Sequence, residues 1–256
     1  MGICGLLSFP VVWEHVQYSW NGHFFLILLG GVCFGCAGQF FFFQAQHEIE
    51  SSRLSSLLGL KIIVLSLIYV LCLQRQILPL QWLAVFLCAL AAIGMNFTGM
   101  RISWKGGLWL FCSLVSYSLS DIFSTELILL VNGDSMIWKS LGGMALSYTC
   151  YGFLGSLLIF RTGFRWIWWR DAIPYGICWY LAMVVLFVCF GLVGVIFGNI
   201  VQATRGIISV LLGFVLLKLG FQHLEPGVSA RIWIRRLLLA VLMVLSMVIY
   251  SSSVNA

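Results

Sequence analysis

Long apolar runs occupy almost the whole of this 256-residue chain, and they restrict it to one class of fold. About eight of these runs approach 20 residues, the length of an α-helix that crosses about 30 Å of hydrocarbon. Hydrophobic residues make up 62% of the chain and charged residues only 9%. A water-soluble domain of this size does not need so much apolar surface. The sequence therefore predicts an all-α, polytopic membrane bundle of about eight transmembrane helices.

The connections between the runs are short, which predicts antiparallel neighbours. Examples are Gln74-Arg75-Gln76 and the single Gly194. Uniformly apolar segments favour helices over a barrel, whose strands would alternate in polarity. The apolar segment Met1–Val12 is too short to span. The predicted spans are Gly22–Phe43, Arg53–Leu73, Pro79–Phe97, Gly106–Leu130, Met136–Phe160, Asp171–Val193, Ile196–Lys218 and Trp233–Tyr250.

Composition also argues against several classes of function. Every polar stretch is shorter than about 15 residues, which leaves no room for a soluble catalytic domain. The net charge of +6 is spread over short loops rather than gathered in a basic face, so we expect no nucleic-acid partner. Cys33 and Cys36 have the spacing of a metal pair, but they lie inside an apolar run with no second pair, which favours helix packing. We expect no metal and no cofactor.

Basic residues are distributed unequally between the two sides that the predicted spans define. Only Arg75 and Lys139 lie on one side. Short loops rich in lysine and arginine stay in the cytoplasm. The bias predicts a multi-pass protein of the cell membrane, in the bacterial inner membrane, with both chain ends outside. The ten basic residues of the cytoplasmic side lie in or beside the loops 44–53, 99–105, 161–170 and 219–232.

The chain contains an internal similarity at a nearly constant offset. The residues around Arg53 resemble those around Arg205, at an offset of 152, and Trp82 aligns with Trp233 at an offset of 151. Five predicted helices separate the equivalent positions, and an odd number inverts one copy relative to the other in the membrane. Inverted repeats are typical of secondary transporters.

These segments resemble the drug/metabolite transporter superfamily and, within it, the EamA-like transporters. The resemblance is clearest over Asn199-Ile200-Val201-Gln202-Ala203-Thr204-Arg205-Gly206, and it extends over about residues 20–251. It implies two inverted five-helix repeats. Residues 1–98 would form the first, N-terminally incomplete, with helices three to five; residues 104–256 would form the second, with helices six to ten. The family usually keeps its termini in the cytoplasm; on this point we follow the charges.

Buried charges are the candidate substrate-binding residues. Arg205 lies in an otherwise apolar span, where a charge costs at least about 2.5–3.5 kcal/mol, so we expect it to face a cavity or a partner. It could bind an anionic or hydrogen-bonding substrate, pair with a buried acid, or reach the interface. Arg53, the equivalent residue in the first repeat, lies nearer a loop. Lys61 lies two turns beyond Arg53 on roughly the same face.

Two further residues complete the candidate site. Asn199 precedes Arg205 in the family-like stretch and is a further substrate-binding candidate. Asp121 lies mid-span among serines and could pair with Arg205 or Lys61, accept a proton in coupling, or be exposed at the membrane interface. We predict no catalytic residue and no metal ligand.

Three functions remain at this point. The first is a secondary transporter that moves a small-molecule substrate by alternating access. The second is a non-catalytic or truncated membrane partner protein. The third is a membrane-embedded lipid-modifying enzyme, which is less favoured because the four histidines are not spaced for joint ligation and no D-x-x-D motif occurs. The protein is thus expected not to be an enzyme, and its oligomeric state cannot be read from the sequence.

Overall fold

The computed structural model describes residues 2–49, 54, 57–74, 76–95, 103–162, 166–203, 208, 215 and 230–254. Within these ranges the chain forms nine α-helices, a short 3-10 turn and two strands of two residues each, which confirms the all-α class. The elements in chain order are α1 (Gly2–Trp13), β1 (Val16–Gln17), α2 (Gly22–Glu48), the 3-10 turn (Leu58–Leu60), α3 (Lys61–Leu71), α4 (Pro79–Met95), α5 (Trp104–Leu130), β2 (Asn132–Gly133), α6 (Met136–Thr162), α7 (Trp166–Val193), α8 (Val195–Ala203) and α9 (Ala230–Val254).

The helices follow the predicted apolar spans, with differences at their ends. The helix α7 begins at Trp166, ahead of the predicted Asp171, and it contains Pro174. The first part of the predicted span Ile196–Lys218, up to Ala203, forms the helix α8. Most of the rest of this span lies outside the described residues. Helix ends are the least predictable feature of such segments, because polar residues continue a helix for a turn past the apolar run.

A single glycine separates α7 from α8. Gly194 has a φ of +83°, in the left-handed region that favours glycine because other residues meet a clash of their Cβ there. Its amide still donates to the carbonyl of Phe190, so the chain changes direction without losing that hydrogen bond. The sequence predicts the boundary between these two apolar segments at Gly194, and the structure confirms this boundary.

Three of the described helices are long and apolar enough to cross a membrane: Gly22–Glu48, Trp104–Leu130 and Arg170–Val193. Four shorter apolar helices accompany them in the described part of the chain, at Gly2–Trp13, Leu58–Leu71, Pro79–Gly94 and Val241–Ser253. These helices carry many large apolar side chains on their outer surfaces, as expected where hydrocarbon rather than water surrounds the protein.

The chain forms two compact units. Unit 1 contains Met1–Ala37 and Leu119–Gly198, and unit 2 contains Gly38–Ser118 and Asn199–Ala256. Each unit therefore combines a segment from the first half of the chain with a segment from the second half. The predicted division into repeats, 1–98 and 104–256, concerns internal similarity rather than contact, and it remains a prediction.

Glycines bring helices of unit 1 into close contact. A Cβ at Gly152 of α6 would lie 2.5 Å from the Cα of Gly2 in α1, and one at Gly5 would lie 2.8 Å from the backbone nitrogen of Thr149. A Cβ at Gly30 of α2 would likewise lie 2.9 Å from the ring of Phe123 in α5. Small residues at such positions let helices in a membrane pack backbone against backbone.

A short antiparallel ribbon ties two loops of unit 1 together. Val16 pairs with Gly133, and Gln17 pairs with Asn132. Beside the ribbon, His15 lies 3.1 Å from Asp134 and stacks on the ring of Trp138 at a centroid distance of 4.0 Å. With two residues per strand, this ribbon carries no signal of alternating polarity, and the sequence did not predict it.

The ribbon leads into Tyr18, whose hydroxyl donates to the carbonyl of Gly142 at 3.2 Å. The ring stacks on Phe9 and lies beside Trp20 and Phe24, in a group of aromatic residues at the N-terminal end of α2. Burial raises the pKa of this phenol from its ordinary 10.0 to about 12, because the charged phenolate is poorly solvated there.

We expect Tyr18→Phe to lower the free energy of unfolding at pH 8 by about 0.5–1.5 kcal/mol, through loss of the hydrogen bond to Gly142. The raised pKa means that Tyr18 favours the folded protein fully below pH 10 and loses this contribution between pH 10 and about 12. Unfolding in detergent at pH 8 and pH 11 measures both effects. The phenylalanine variant should lose less stability between the two pH values than the wild type, and an equal loss would contradict the assignment.

Two helices of unit 2, α4 and α9, cross in an antiparallel manner. A Cβ at Gly94 would lie 2.8 Å from Leu239, and the side chain of Ser246 lies within hydrogen-bonding reach of the Cys88 thiol. Between these two contacts, α4 presents alanines and α9 presents Met243, all of which are buried. A second buried cluster of this unit contains Ala45, Ile49, Leu54, Leu57, Leu110 and Leu114.

Candidate substrate site in unit 2

Lys61 is the charged residue that the fold buries most clearly within the described chain. It begins α3 directly after the 3-10 turn and is only 8% exposed. Its Nζ donates a hydrogen bond to Oε1 of Gln202 in α8 at 3.1 Å. Its backbone carbonyl lies 3.4 Å from the hydroxyl of Ser118 in α5, which donates more closely, at 2.7 Å, to Leu114. The lysine in α3 thus lies beside those parts of α5 and α8 that belong to unit 2.

The local sequence explains why Lys61 lies so deep. Gly59, in the 3-10 turn, faces Ala92 of α4, and a Cβ at this position would lie only 2.7 Å from the Cβ of that alanine. The missing side chain lets the turn approach α4 closely. A 3-10 stretch is also more tightly wound than an α-helix and often occurs at functional or strained points. The 3-10 turn Leu58–Leu60 directly precedes Lys61, and Leu58 and Gly59 line the same cavity as the lysine.

The other wall of the site is α8, which begins after the Gly194 turn. Asn199 and Gln202 are three residues apart, so they lie on the same face of this helix. Asn199 is only 2% exposed. With Lys61 and Gln202 it lines a cavity of about 10 Å³, which is near the smallest volume that holds a water molecule. Within the described part of the chain, the remaining lining residues are Leu58, Gly59, Ile62 and Ala203.

The chemistry of this cavity is that of a cation held by amides. An isolated ammonium group is costly in an apolar environment unless hydrogen bonds or an opposite charge compensate it. Gln202 supplies a carbonyl oxygen, and the amide groups of Gln202 and Asn199 also carry N–H donors. These three side chains are the polar groups of the lining within the described part of the chain.

The other predicted site residues are placed differently or lie outside the described residues. Asp121 belongs to unit 1, where it is half-buried on α5 and its backbone carbonyl accepts a hydrogen bond from Thr125 at 2.9 Å. Arg53 and Arg205 lie outside the described residues. The predicted pairing of Arg205 with Asp121, and the roles of both arginines in binding, therefore remain predictions.

Gln202 is the site residue that sequence reasoning did not single out. Its contact with Lys61 joins positions 141 residues apart, and a neutral amide inside a helix gives no charge signal. The available clue was its position three residues after Asn199, on the same helix face. Among the residues that the structure describes, no three histidine, cysteine, aspartate or glutamate side chains are grouped closely enough to hold a metal ion.

No model of a known protein family matches this chain, and a comparison with curated proteins likewise found no match.

Proposed function

We propose that this protein is an integral membrane secondary transporter, of the EamA-like kind, that moves a small metabolite by alternating access. The observation that carries the proposal is the buried Lys61, held by Gln202 beside a polar cavity in an otherwise apolar set of helices. Ionisable residues inside membrane segments are rare, because their insertion is costly, and they commonly mark the path of a substrate or an ion.

The crossing of α4 and α9 supports the inverted repeat that such a transporter would contain. The contact Gly94–Leu239 joins residues 145 apart, and the contact Cys88–Ser246 joins residues 158 apart. The mean separation is 151.5, which agrees with the offsets of 152 and 151 in the sequence. An offset of this size relates Cys88 to Leu239 and Gly94 to Ser246. Each of the two contacts is therefore mapped onto the other. A two-fold axis through the crossing would exchange the contacts in this way, as would the antiparallel packing of any two helices.

The division into two units agrees with the same offset except at residues 38–46, whose counterparts at 190–198 belong to the other unit. Residues 1–37 and their counterparts at 153–189 both belong to unit 1, whereas residues 47–98 and 199–250 both belong to unit 2. The close approach of Gly2 to Gly152 joins residues 150 apart, near the same value. We propose eight membrane spans, α2 to α9, with both chain ends outside the cell.

Uptake into liposomes tests the proposal. The full chain is reconstituted into liposomes, and the liposomes are loaded with a mixture of isotopically labelled small metabolites. Exchange of these solutes across the bilayer is then measured by mass spectrometry. We expect at least one solute to cross, and we expect Arg205→Ala to reduce its transport at least tenfold, because the arginine lies in an apolar span and is expected to face the substrate.

Arg170→Ala is the matched control, since Arg170 is exposed and bonds to its neighbour Asp171. It should transport like the wild type, and all three proteins should insert equally. If the correctly inserted wild type moves no solute, the proposal is wrong and a non-catalytic membrane partner becomes the better interpretation. Normal transport by Arg205→Ala would remove the arginine from the site.

A further inference from the structure

We infer that the N-terminal end of α2 carries a binding surface for phospholipid headgroups that bear an ammonium group, such as phosphatidylcholine and phosphatidylethanolamine. The indole rings of Trp13 and Trp20 contact the ammonium group of the lipid, and the carboxylate of Glu14 balances its charge. The inference concerns the contact of the protein with the bilayer, and it does not depend on which solute the protein transports.

This end of unit 1 lies where two long apolar helices meet their polar loops. Both α2 and α5 are long and apolar enough to cross a membrane; α2 begins at Gly22, and α5 ends at Leu130. The ribbon pairs Val16–Gln17, just before α2, with Asn132–Gly133, just after α5. The two loops therefore belong to one edge of the membrane-spanning region, the layer in which membrane proteins concentrate tryptophan and tyrosine.

Five aromatic residues form what we call the aromatic surface, with Tyr18 at its centre. The centroid of the Tyr18 ring lies 5.8 Å from that of Phe9, 6.4 Å from Trp13, 5.3 Å from Trp20 and 6.1 Å from Phe24. A hydrogen bond from the tyrosine hydroxyl to a backbone carbonyl of α6 holds this ring in place. The side chain of Phe24 is buried, whereas Trp13 is 57% exposed and Trp20 is 52% exposed. Two indole rings are thus fixed by their neighbours and still present much of their area to the lipid.

The charges of the two loops favour a cationic group at this surface. In residues 13–21 and 131–139, all of which the structure describes, the carboxylates of Glu14 and Asp134 are exposed and the one lysine, Lys139, is half-buried. Asp134 contacts His15 at 3.1 Å, whereas Glu14 directly follows the exposed Trp13 in the chain. The faces of aromatic rings also attract cations, and those of tryptophan do so most strongly. An ammonium headgroup therefore meets two indole faces and a carboxylate, while phosphatidylglycerol has the same phosphate without the ammonium group.

Thermal unfolding of the purified full chain in an uncharged maltoside detergent tests the inference, with dioleoyl phosphatidylcholine and dioleoyl phosphatidylglycerol as probes. Because a ligand stabilises the state that it binds, we expect phosphatidylcholine to raise the midpoint of unfolding at a lower concentration than phosphatidylglycerol does. The double variant Trp13→Leu/Trp20→Leu should weaken the apparent affinity for phosphatidylcholine at least fivefold and leave that for phosphatidylglycerol unchanged. Glu14→Gln should reduce the preference between the two lipids. Trp104→Leu is the control, since Trp104 is 86% exposed and does not belong to the aromatic surface.

Equal affinities of the wild type for the two lipids, an unchanged affinity for phosphatidylcholine in the double variant, or an equal loss in Trp104→Leu would overturn the inference. The comparison of lipids on the wild type decides it even if the double variant does not fold. Trp13→Phe/Trp20→Phe, which keeps an aromatic face at both positions, should retain most of the preference. Light scattering on the same samples measures the oligomeric state. If the double variant dissociates an oligomer but binds phosphatidylcholine like the wild type, the aromatic surface joins copies of this chain and the inference is wrong.

Discussion

Gly152→Ala is expected to lower the free energy of unfolding by about 1–3 kcal/mol, the usual effect of adding a methyl group to a well-packed contact. The new Cβ would lie 2.5 Å from the Cα of Gly2, a distance that real side chains do not adopt. The obstacle is backbone rather than a flexible side chain, so α1 and α6 must move apart. Because α1 makes its main contacts with α6, this separation should weaken the attachment of the whole first helix. Thermal or denaturant unfolding in a fixed detergent measures the loss.

Gly155→Ala provides the control on the same helix, three residues further along. No heavy atom of the described residues lies within 4 Å of a Cβ at Gly155, so the alanine meets no described neighbour. Since glycine in a helix interior is less favourable than alanine by about 0.5–1 kcal/mol, this variant should be neutral or slightly more stable. If the two variants unfold alike, the contact between Gly2 and Gly152 does not hold α1 in place.

Gln202→Glu is expected to reduce transport of the solute at least tenfold. The new carboxylate would take the place of the amide oxygen that lies 3.1 Å from the Nζ of Lys61. A carboxylate this close to the ammonium group would form a stronger bond than the neutral amide does, and it would change the charge of the proposed transport path. The exchange assay in liposomes measures the change, with Arg170→Ala as the control.

Gln202→Leu separates charge from shape in the same position. Leucine removes the amide oxygen beside Lys61 but adds no charge, so transport should fall less than in the glutamate variant, although the folded protein should be less stable by about 1–3 kcal/mol through loss of a buried hydrogen-bond partner. A glutamate variant that transports like the wild type would show that the solute does not pass Lys61.

The helices were predictable because hydrophobic length is a local property. A run of apolar residues that must satisfy its own backbone in hydrocarbon has the helix as its only stable form, and segments such as Pro79–Met95 and Met136–Thr162 follow directly. The turn at Gly194 was equally local, since one residue type accepts a positive φ without strain.

The composition of the site was only partly predictable. A lysine inside an apolar run indicates a polar environment wherever it lies, and this signal identified Lys61 before any contact was known. Its partner Gln202 depends on how α8 packs after the Gly194 turn, which no local pattern encodes. The combination of distant segments within each unit is likewise a property of packing between helices far apart in the sequence.

The buried charge of Lys61 also has an electrical consequence. One elementary charge that crosses the full membrane voltage changes its energy by about 2.3 kcal/mol per 100 mV. In the proposed cycle, any displacement of Lys61 along the membrane normal would move its ammonium charge through part of this voltage. Membrane potential would therefore favour one of the two access states over the other.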